Sequence, residues 1–321
     1  MLKKCLFGPA ASLVLLTMAG PAAAGIKVYE DGDKFVEIGG RIQLQYMRSD
    51  PDSGDSEDEW FFRRLRPYIS GSVTKNWVGK FQFDLGKSSG DNEVAVKDAY
   101  MAYKGWKNKT FYLGNTKTVF SREFLTSSKR QQMIERSFVG DHNFGAPDRQ
   151  LGFRLDGTSD NKKIGWKFNI GSESVDPDAK KLDFDTPANK NSDFNEGTIM
   201  AARVDIHPRG AMKFDQGDFN SDEGKFSVSF AAFSWSNDDD NNTYTSGGVS
   251  TSSSKADIDS ANGFEISAGY RGRGFSIDGQ YNLISADTVD SGFTGGLYRN
   301  GTSDIDTFAV EAGYTFANNS V

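Results

Sequence analysis

Positively charged side chains recur on the polar faces of several stretches that alternate between apolar and polar residues. Arg41 and Lys80 lie opposite the apolar positions of their stretches, and Arg154 alternates with Phe153 and Leu155. If these stretches are β-strands, the three side chains point to one polar face. Arginine and lysine in a narrow passage replace part of the hydration shell that an anion loses there. These residues therefore predict contact with anions without any bond-making chemistry.

Three more arginines stand close together in the run Arg63-Arg64-Leu65-Arg66. Strict alternation along a strand puts Arg64 and Arg66 on the polar face, and it puts Arg63 on the apolar face with Phe61 and Leu65. A β-bulge would instead turn Arg63 towards the polar face. Two interpretations stay open for Arg63: a residue of the anion passage, or an arginine at lipid headgroups or a subunit interface.

Hydroxyl and basic residues follow each other at Ser127, Ser128, Lys129 and Arg130. The two serines offer hydroxyls and backbone N–H groups to an anion, and the next two residues add positive charge. An ordinary polar loop has the same composition, and this alternative is favoured over direct anion contact for Lys129 and Arg130.

Other kinds of chemistry find little support in the sequence. Its two histidines, His142 and His207, have no nucleophile or orienting carboxylate at a recognisable spacing. No metal-ligand motif and no phosphate-binding glycine loop is recognisable. A net charge of −7 and an aromatic content of 13% argue against a nucleic-acid-binding or disordered chain. We therefore expect no enzyme, no cofactor, no metal and no nucleic-acid partner.

The dominant pattern along the chain is an alternation with period two, which is typical of half-buried β-strands. We predict about twelve strands, near residues 35–48, 60–74, 77–86, 94–104, 110–118, 149–156, 163–171, 197–206, 224–235, 262–271, 274–285 and 305–316. Most have the ~10 residues with which a tilted strand crosses a membrane.

The connections between these strands alternate in length. Short ones, such as 74–76 and 105–109, take turns with long polar ones, such as 49–59, 171–196 and 237–261. Short turns at one end and long loops at the other are typical of outer-membrane barrels. A soluble sandwich also alternates, but shorter strands and no systematic loop asymmetry are expected for it.

The connection of residues 119–148 has a different composition. It carries Phe120, Phe124, Leu125 and Phe138 among basic and hydroxyl residues. A loop that runs over a wet surface has little reason to be this apolar. We expect it to fold back against the inner wall of the barrel.

Residues 1–24 have the pattern of a secretory signal peptide. Lys3 and Lys4 precede an apolar run, and small residues lead up to Gly25. Cys5 lies in this segment, so the remainder contains no cysteine and no disulfide framework. No later stretch is long and apolar enough for a membrane helix. A mean hydropathy of −0.55 is compatible with a β-barrel, because its lipid face is hidden in the alternation.

Several short motifs stand in a fixed order: Ile38-Gly39-Gly40-Arg41-Ile42-Gln43, Phe62-Arg63-Arg64-Leu65-Arg66, Lys97-Asp98-Ala99-Tyr100-Met101-Ala102-Tyr103, Phe120 with Glu123, Thr126-Ser127-Ser128-Lys129 and Ile134-Glu135-Arg136. In order and spacing, from Phe35 to about Phe144, they resemble the phosphate-selective porin family (porins O and P) of Gram-negative outer membranes. The match is looser beyond Phe144 and recovers at Phe308–Tyr314.

The resemblance implies a homotrimer of sixteen-stranded barrels, each narrowed by a third loop and passing anions. Residues 119–148 stand in the position of that loop, and Arg41, Arg63 and Arg64 match basic residues of the narrow zone. We therefore expect an all-β, transmembrane antiparallel β-barrel of residues 25–321 with an inward-folded constriction loop. Its expected location is the bacterial outer membrane, and its expected partners are phosphate-like inorganic anions and outer-membrane lipids.

Two positions depart from the phosphate-selective pattern. Phe124 stands where those members have a lysine, and Lys97 stands where they have an acidic residue. Passage of anions therefore carries over better than a site specific for phosphate. A weakly selective diffusion porin and a non-conducting structural or adhesive surface barrel remain alternatives.

The C-terminal end is a third departure, because family members continue with about four more strands and finish on an aromatic residue. The twelve strands predicted here plus four give the sixteen of the family. We expect a truncated chain, either a fragment or a shortened variant. The alternative is a self-sufficient barrel of twelve strands, since an even number of strands can close.

Overall fold

The structure is a computed structural model of the chain. It describes residues 25–49, 56–87, 94–176, 178–189, 195–219, 223–237, 245–246, 249–250 and 255–316. The predicted signal peptide, residues 1–24, lies outside these ranges.

Nearly all regular structure in the described residues is β-strand. The strands are β1 (Ile26–Asp31), β2 (Lys34–Gly39), β3 (Ile42–Ser49), β4 (Glu57–Leu65), β5 (Tyr68–Thr74), β6 (Trp77–Asp84), β7 (Ala95–Tyr103), β8 (Lys109–Lys117), β9 (Arg149–Thr158), β10 (Ile164–Val175), β11 (Phe184–Asp185), β12 (Asn195–Ile206), β13 (Lys225–Ser236), β14 (Thr245–Ser246), β15 (Val249–Ser250), β16 (Ile258–Gly272), β17 (Phe275–Thr288) and β18 (Thr302–Tyr314). One short helix, α1 (Arg122–Leu125), and a 3-10 turn at Pro187–Asn189 interrupt them. Within the described ranges, no helix is long and apolar enough to cross a membrane.

Most of the strands form one antiparallel sheet in the order β1-β2-β5-β6-β7-β8-β9-β10-β12-β13-β16-β17-β18, with β11 beside β10, while β14 pairs separately with β15. The pair β3-β4 prolongs the pair β2-β5 as the outer part of one long hairpin. At the junction, Arg41 N donates to Arg66 O (3.1 Å) and Arg66 N donates to Arg41 O (2.9 Å). Strands β1 and β18 are the two ends of this order and do not pair with each other within the described residues.

The predicted all-β antiparallel fold is confirmed, and each of the twelve predicted strands has an observed counterpart. The prediction of about twelve strands agrees closely with the structure, in which β1 adds one further strand to the order of the sheet within the described residues. This strand has only six residues, all exposed, and shows no clear alternation. A local signal was present nonetheless: Gly32, with φ of +58°, begins the two-residue turn to β2, and glycine favours such hairpin turns.

Except at the β-bulges, side chains alternate between the two faces of the sheet. In β13, Ser227 and Ser229 are fully buried, whereas Phe226 and Phe230 are more than a third exposed. The exposed apolar face is the one that lipid covers, and the buried face lines the barrel interior. One face of these strands is apolar along the whole strand. It consists of aromatic and aliphatic residues, which favour β-structure.

The connections alternate in length as predicted, with one exception. The turns after β1, β5, β7, β9 and β16 are short, and the connections at the other end are long. The exception is the connection between β12 and β13, which lies at the short-turn end yet spans residues 207–224. Within its described residues 207–219, Met212, Gln216 and Asp218 are buried. This segment therefore turns into the barrel.

Residues 119–148, here called the inward loop, cross the interior of the barrel. Ser121 caps α1 by accepting a hydrogen bond from Phe124 N (3.1 Å), which starts the helix locally. Glu123 N donates to Gln280 on β17 (3.0 Å), and Arg64 on β4 donates to Ile134 O (3.0 Å). Since β4 and β17 are far apart in the strand order, the sheet must curl around this loop. The predicted inward-folded loop is therefore confirmed.

An apolar cluster fills one side of the interior at the long-loop end. Phe120 of the inward loop packs edge-on against Phe233 of β13, with ring centroids 4.8 Å apart. Leu182 and Phe184, from the connection after β10, lie in the same cluster with Trp235. We call the described part of that connection, residues 176–189 without residue 177, the capping loop.

Trp235 is a test of this interior packing. It is fully buried, and its Nε1 donates to Glu173 O (2.8 Å). Replacement by alanine should lower the free energy of unfolding by ~3–5 kcal/mol, as is typical of large aromatic residues in a core. Trp60→Ala is the matched control, because Trp60 lies on the outer face and is 57% exposed. Urea unfolding in lipid vesicles should show a clearly smaller loss for the control, and equal losses would contradict the assigned faces.

Candidate functional site

Arg41 and Arg66 meet the inward loop at Ser128. Their junction between β2-β3 and β4-β5 puts both side chains on the inner face, where Arg41 Nη2 lies 2.9 Å from Ser128 Oγ. Arg66 Nη1 lies 3.3 Å from the same oxygen. The hydroxyl accepts from two guanidinium groups, so the loop is fixed at a point of high positive charge.

A β-bulge turns Arg63 towards the inward loop. The register between β3 and β4 slips by one residue, since Gln43 pairs with Arg64 but Leu44 pairs with Phe62. Arg63 is the extra residue, and its Nε and Nη2 atoms both donate to the carboxylate of Glu135. Of the two alternatives for Arg63, the bulge is the one observed. The face assigned to Phe61 was consequently wrong, because Phe62 is the residue exposed on the outside.

Arg64 is more deeply buried than Arg41, Arg63 and Arg66, with 3% of its surface exposed. It donates to Gln43 Oε1 (2.9 Å) and Ile134 O (3.0 Å), and it lies 3.4 Å from Glu135 Oε2. We call Arg41, Arg63, Arg64, Arg66 and Arg136 the arginine cluster.

Several donor atoms of the arginine cluster have no hydrogen-bond partner among the described residues. Among them are the buried Nε atoms of Arg41, Arg64 and Arg136. Burial, together with the positive charge of Arg149, Arg66 and Arg64, lowers the pKa of Arg136 to about 10, although Asp148 acts in the opposite direction. These guanidinium groups are still charged at neutral pH, and an anion would relieve their mutual repulsion.

Carboxylates neutralise part of this charge. Asp84 accepts from Arg66 Nε at 2.5 Å and has no exposed surface. Arg149, at the start of β9, bonds to Asp148 (2.9 Å) and Asp98 (3.3 Å). Pairing of this kind keeps buried charges tolerable, because an isolated ion in the interior is very costly.

Phe124 lies between two cations. Lys117 Nζ is 4.6 Å and the Arg136 guanidinium 5.0 Å from the centre of its ring. Aromatic faces attract cations at this distance. The lysine expected by resemblance at this position is absent, but Lys117 and Arg136 bring positive charge to the same place.

The other residues predicted for the site are dispersed along the inner face. Lys80 pairs with Asp98 (2.6 Å), and Arg154 makes two 2.7 Å bonds to Asp156. Ser127 accepts a backbone hydrogen bond from Arg130 N (2.7 Å), and Lys129 is exposed. The structure therefore joins Arg41, Arg63, Arg64, Arg66 and Ser128, while the roles of Ser127, Lys80, Lys129 and Arg154 stay predictions.

Sequence reasoning missed a second charged network on the opposite wall. Arg122 Nε bonds Asp278 (2.9 Å), and Arg203 Nη1 bonds Glu265 (2.8 Å). Both guanidinium groups lie over the ring of Phe214, from the connection after β12, at 4.5 Å and 4.8 Å. Alternation could have placed the strand residues on the inner face, but nothing local indicates that Arg122 and Phe214 reach them.

Taken together, a curled antiparallel sheet with an apolar outer face and a charged interior defines a β-barrel channel protein. The sequence model of "Phosphate-selective porin O and P" matches residues 36–283. The chain belongs to this porin family, which confirms the resemblance and indicates a channel rather than an enzyme. It is accordingly a protein of the bacterial outer membrane.

Several solved structures align with most of this chain at low sequence identity. In-vitro folded OmpT of Vibrio cholerae, in its trimer form, is 11% identical, with 89% of this chain and 85% of that chain covered and a TM-score of 0.41. OmpF of Salmonella typhi, in complex with daunomycin, is 12% identical, with coverages of 91% and 88% and a TM-score of 0.40. An anion-selective porin from Comamonas acidovorans is 10% identical, with coverages of 87% and 99% and a TM-score of 0.34. Comparison with curated protein sequences gives no significant match.

Glu135 provides a test of the electrostatics of this site. Its carboxylate pairs with Arg63 and Arg64. Glu135→Gln removes this neutralising charge, so the positive potential around the two guanidinium groups should increase. We expect the anion-to-cation permeability ratio to rise by a factor of roughly 2–5, which corresponds to the ~0.5–1 kcal/mol of a partly exposed ion pair.

The reversal potential in a planar bilayer measures this ratio. Glu30→Gln is the matched control, because Glu30 pairs with Lys27 and has a similar side-chain exposure, 57% against 54%, but lies on β1 away from the inward loop. A rise of equal size in the control would mean that Glu135 acts only through net charge.

Proposed function

We propose that this porin is a passive, anion-preferring diffusion channel that accepts phosphate-like inorganic anions. The observation that supports this most directly is the arginine cluster around Ser128 and Glu135 of the inward loop. No step of bond formation is needed, because selection rests on which ion the site can solvate.

The physical basis of the preference is replacement of lost hydration. An anion entering a narrow, partly dehydrated zone loses water, and guanidinium donors compensate for that loss. The planar fork of arginine also fits the paired oxygens of phosphate. The partly exposed guanidinium groups of Arg41, Arg63 and Arg66 are the donors that we assign to this task, and the more deeply buried Arg64 adds to the positive potential. Lys80, Ser127, Lys129 and Arg154 are proposed to extend the positive inner surface.

Selectivity for anions in general is better supported than selectivity for phosphate. Phe124 and Lys97 differ from the phosphate-selective pattern. Lys117 and Arg136 supply positive charge around the Phe124 ring, but not from the position where that pattern has its lysine. We therefore propose that chloride and phosphate both pass.

Assembly and export are proposed by analogy with the family. The chain is proposed to act as a homotrimer surrounded by outer-membrane lipids, with residues 1–24 as the signal peptide that directs export. The exposed apolar side chains of the outer face, such as Ile69 and Phe81, are available for both lipid and subunit contacts.

The zero-current potential of the refolded protein under a KCl gradient tests the function directly. A stable conductance with a potential of anion sign is the expected result. A conductance with a potential near zero would favour the weakly selective porin, and no conductance from a folded protein would favour a blocked surface barrel.

Arg64→Glu tests the assignment of the cluster. Reversing the charge of this buried side chain should lower the anion preference by about tenfold or more, because a charge-assisted contact is worth ~1.5–3 kcal/mol. Lys107→Glu changes the net charge equally but lies in an exposed turn at the other end, paired with Asp160. Unchanged ion selectivity in folded Arg64→Glu channels would remove Arg64 from the narrow zone.

A further inference from the structure

The inward loop and the capping loop are joined by backbone hydrogen bonds. Phe184 N donates to His142 O (3.1 Å), and Gly145 N donates to Leu182 O (2.8 Å). Phe184 has no exposed surface, because it packs into the apolar cluster. Since successive residues of an extended segment point in opposite directions, Asp183 and Asp185 are directed away from that cluster and towards His142.

Three side chains that can ligate a metal meet at this junction. One nitrogen of His142 and one carboxylate oxygen each of Asp183 and Asp185 lie within 4.8 Å of one another. His142 Nδ1 is in direct hydrogen-bond contact with Asp183 Oδ1. The side chain of Asp183 is only 6% exposed, so the group is held in place by its surroundings.

The surroundings of this group contain several carboxylates, of which Asp148 pairs with Arg149. Asp148 and Asp185 both interact electrostatically with His142 and with Glu173. Glu173 is fully buried, and its Oε1 atom has no hydrogen-bond partner among the described residues. Lys181 lies on the other side, bonded to Asp183 (2.6 Å) and Asp176 (2.8 Å). Charged groups of both signs therefore surround the three side chains.

We propose that His142, Asp183 and Asp185 form a site for a divalent transition-metal ion of the Zn²⁺ type. Imidazole nitrogen and carboxylate oxygen are common Zn²⁺ ligands, with bond lengths of about 2.0–2.2 Å. Ligands of a tetrahedral ion at that distance are separated by roughly 3.5 Å. Small side-chain rotations therefore suffice to close the observed group around an ion.

A metal at this position would add a cross-link between two segments that backbone hydrogen bonds already join. His142 belongs to the inward loop, and the two aspartates belong to the capping loop. The ion would therefore link the inward loop to the capping loop. The inference is independent of the proposed anion preference, since neither the ligands nor the test involves the arginine cluster.

Two competitors oppose the metal in the free protein. Lys181 occupies one oxygen of Asp183. Burial disfavours the charged imidazole, but the hydrogen bond that His142 donates to Asp183 and the neighbouring carboxylates outweigh it and raise the pKa of His142 to about 9. Zn²⁺ must therefore displace both a proton and the lysine, and Lys181→Gln is expected to tighten binding.

Isothermal titration of the refolded full chain in detergent with ZnCl₂ tests the proposal. We expect one site, which His142→Ala and Asp185→Asn each weaken by at least about tenfold. The chain has two histidines, and His207→Ala is the matched control that should leave the affinity unchanged. Excess Mg²⁺ in all titrations suppresses unspecific binding by exposed acidic loops.

Circular dichroism of each variant separates loss of ligands from loss of the fold. Binding that persists in folded His142→Ala, or that is lost equally in His207→Ala, would overturn the site. The absence of saturable Zn²⁺ binding in the unaltered chain would do the same and leave the group as an ion pair. These outcomes are distinguishable from a failure of the channel function, because they require no conductance.

Discussion

The buried ion pair between Arg122 and Asp278 determines where the inward loop lies. Arg122 Nε donates to Asp278 at 2.9 Å and Nη1 donates to Ser227 at 2.9 Å, so α1 is fixed to the wall formed by β13 and β17. Separating such a pair leaves an uncompensated buried charge, which typically costs several kcal/mol. With its first part held there, the loop must cross the interior, and Ser128 and Glu135 reach the arginine cluster on the other side.

This crossing divides the interior into two unlike sides. Towards β12–β17, the apolar cluster and the capping loop fill the space at the long-loop end, and the network around Arg203 and Phe214 fills it further down. An ion has no partners among packed apolar side chains, and moving it there is prohibitively costly. The proposed anion passage therefore lies on the side of β3–β8, where the arginine cluster faces the inward loop.

The sequence predicted what depends on local pattern. Strand positions and the inward loop follow from alternation and from the unusual composition of residues 119–148. For Arg63, the sequence left a bulge and an outward-facing arginine as open alternatives. The segment 207–219, the pairing of Glu135 with Arg63, and the meeting of His142 with Asp183 and Asp185 were not predictable in this way. Each depends on contacts between residues that are distant in the chain, and spacing along the sequence carries no signal of them.

An acidic chain can still prefer anions, because selectivity depends on charge within reach of the passing ion. Charges in water are screened beyond roughly 8–10 Å at physiological salt, so carboxylates of exposed loops contribute little to the field in the narrow zone. Among the described residues, the five guanidinium groups of the arginine cluster face the carboxylates of Asp84, Glu135 and Asp148. Burial strengthens the effect of that local surplus, because the effective dielectric constant inside the protein is lower than in water. The net charge of −7 is therefore compatible with a positive passage.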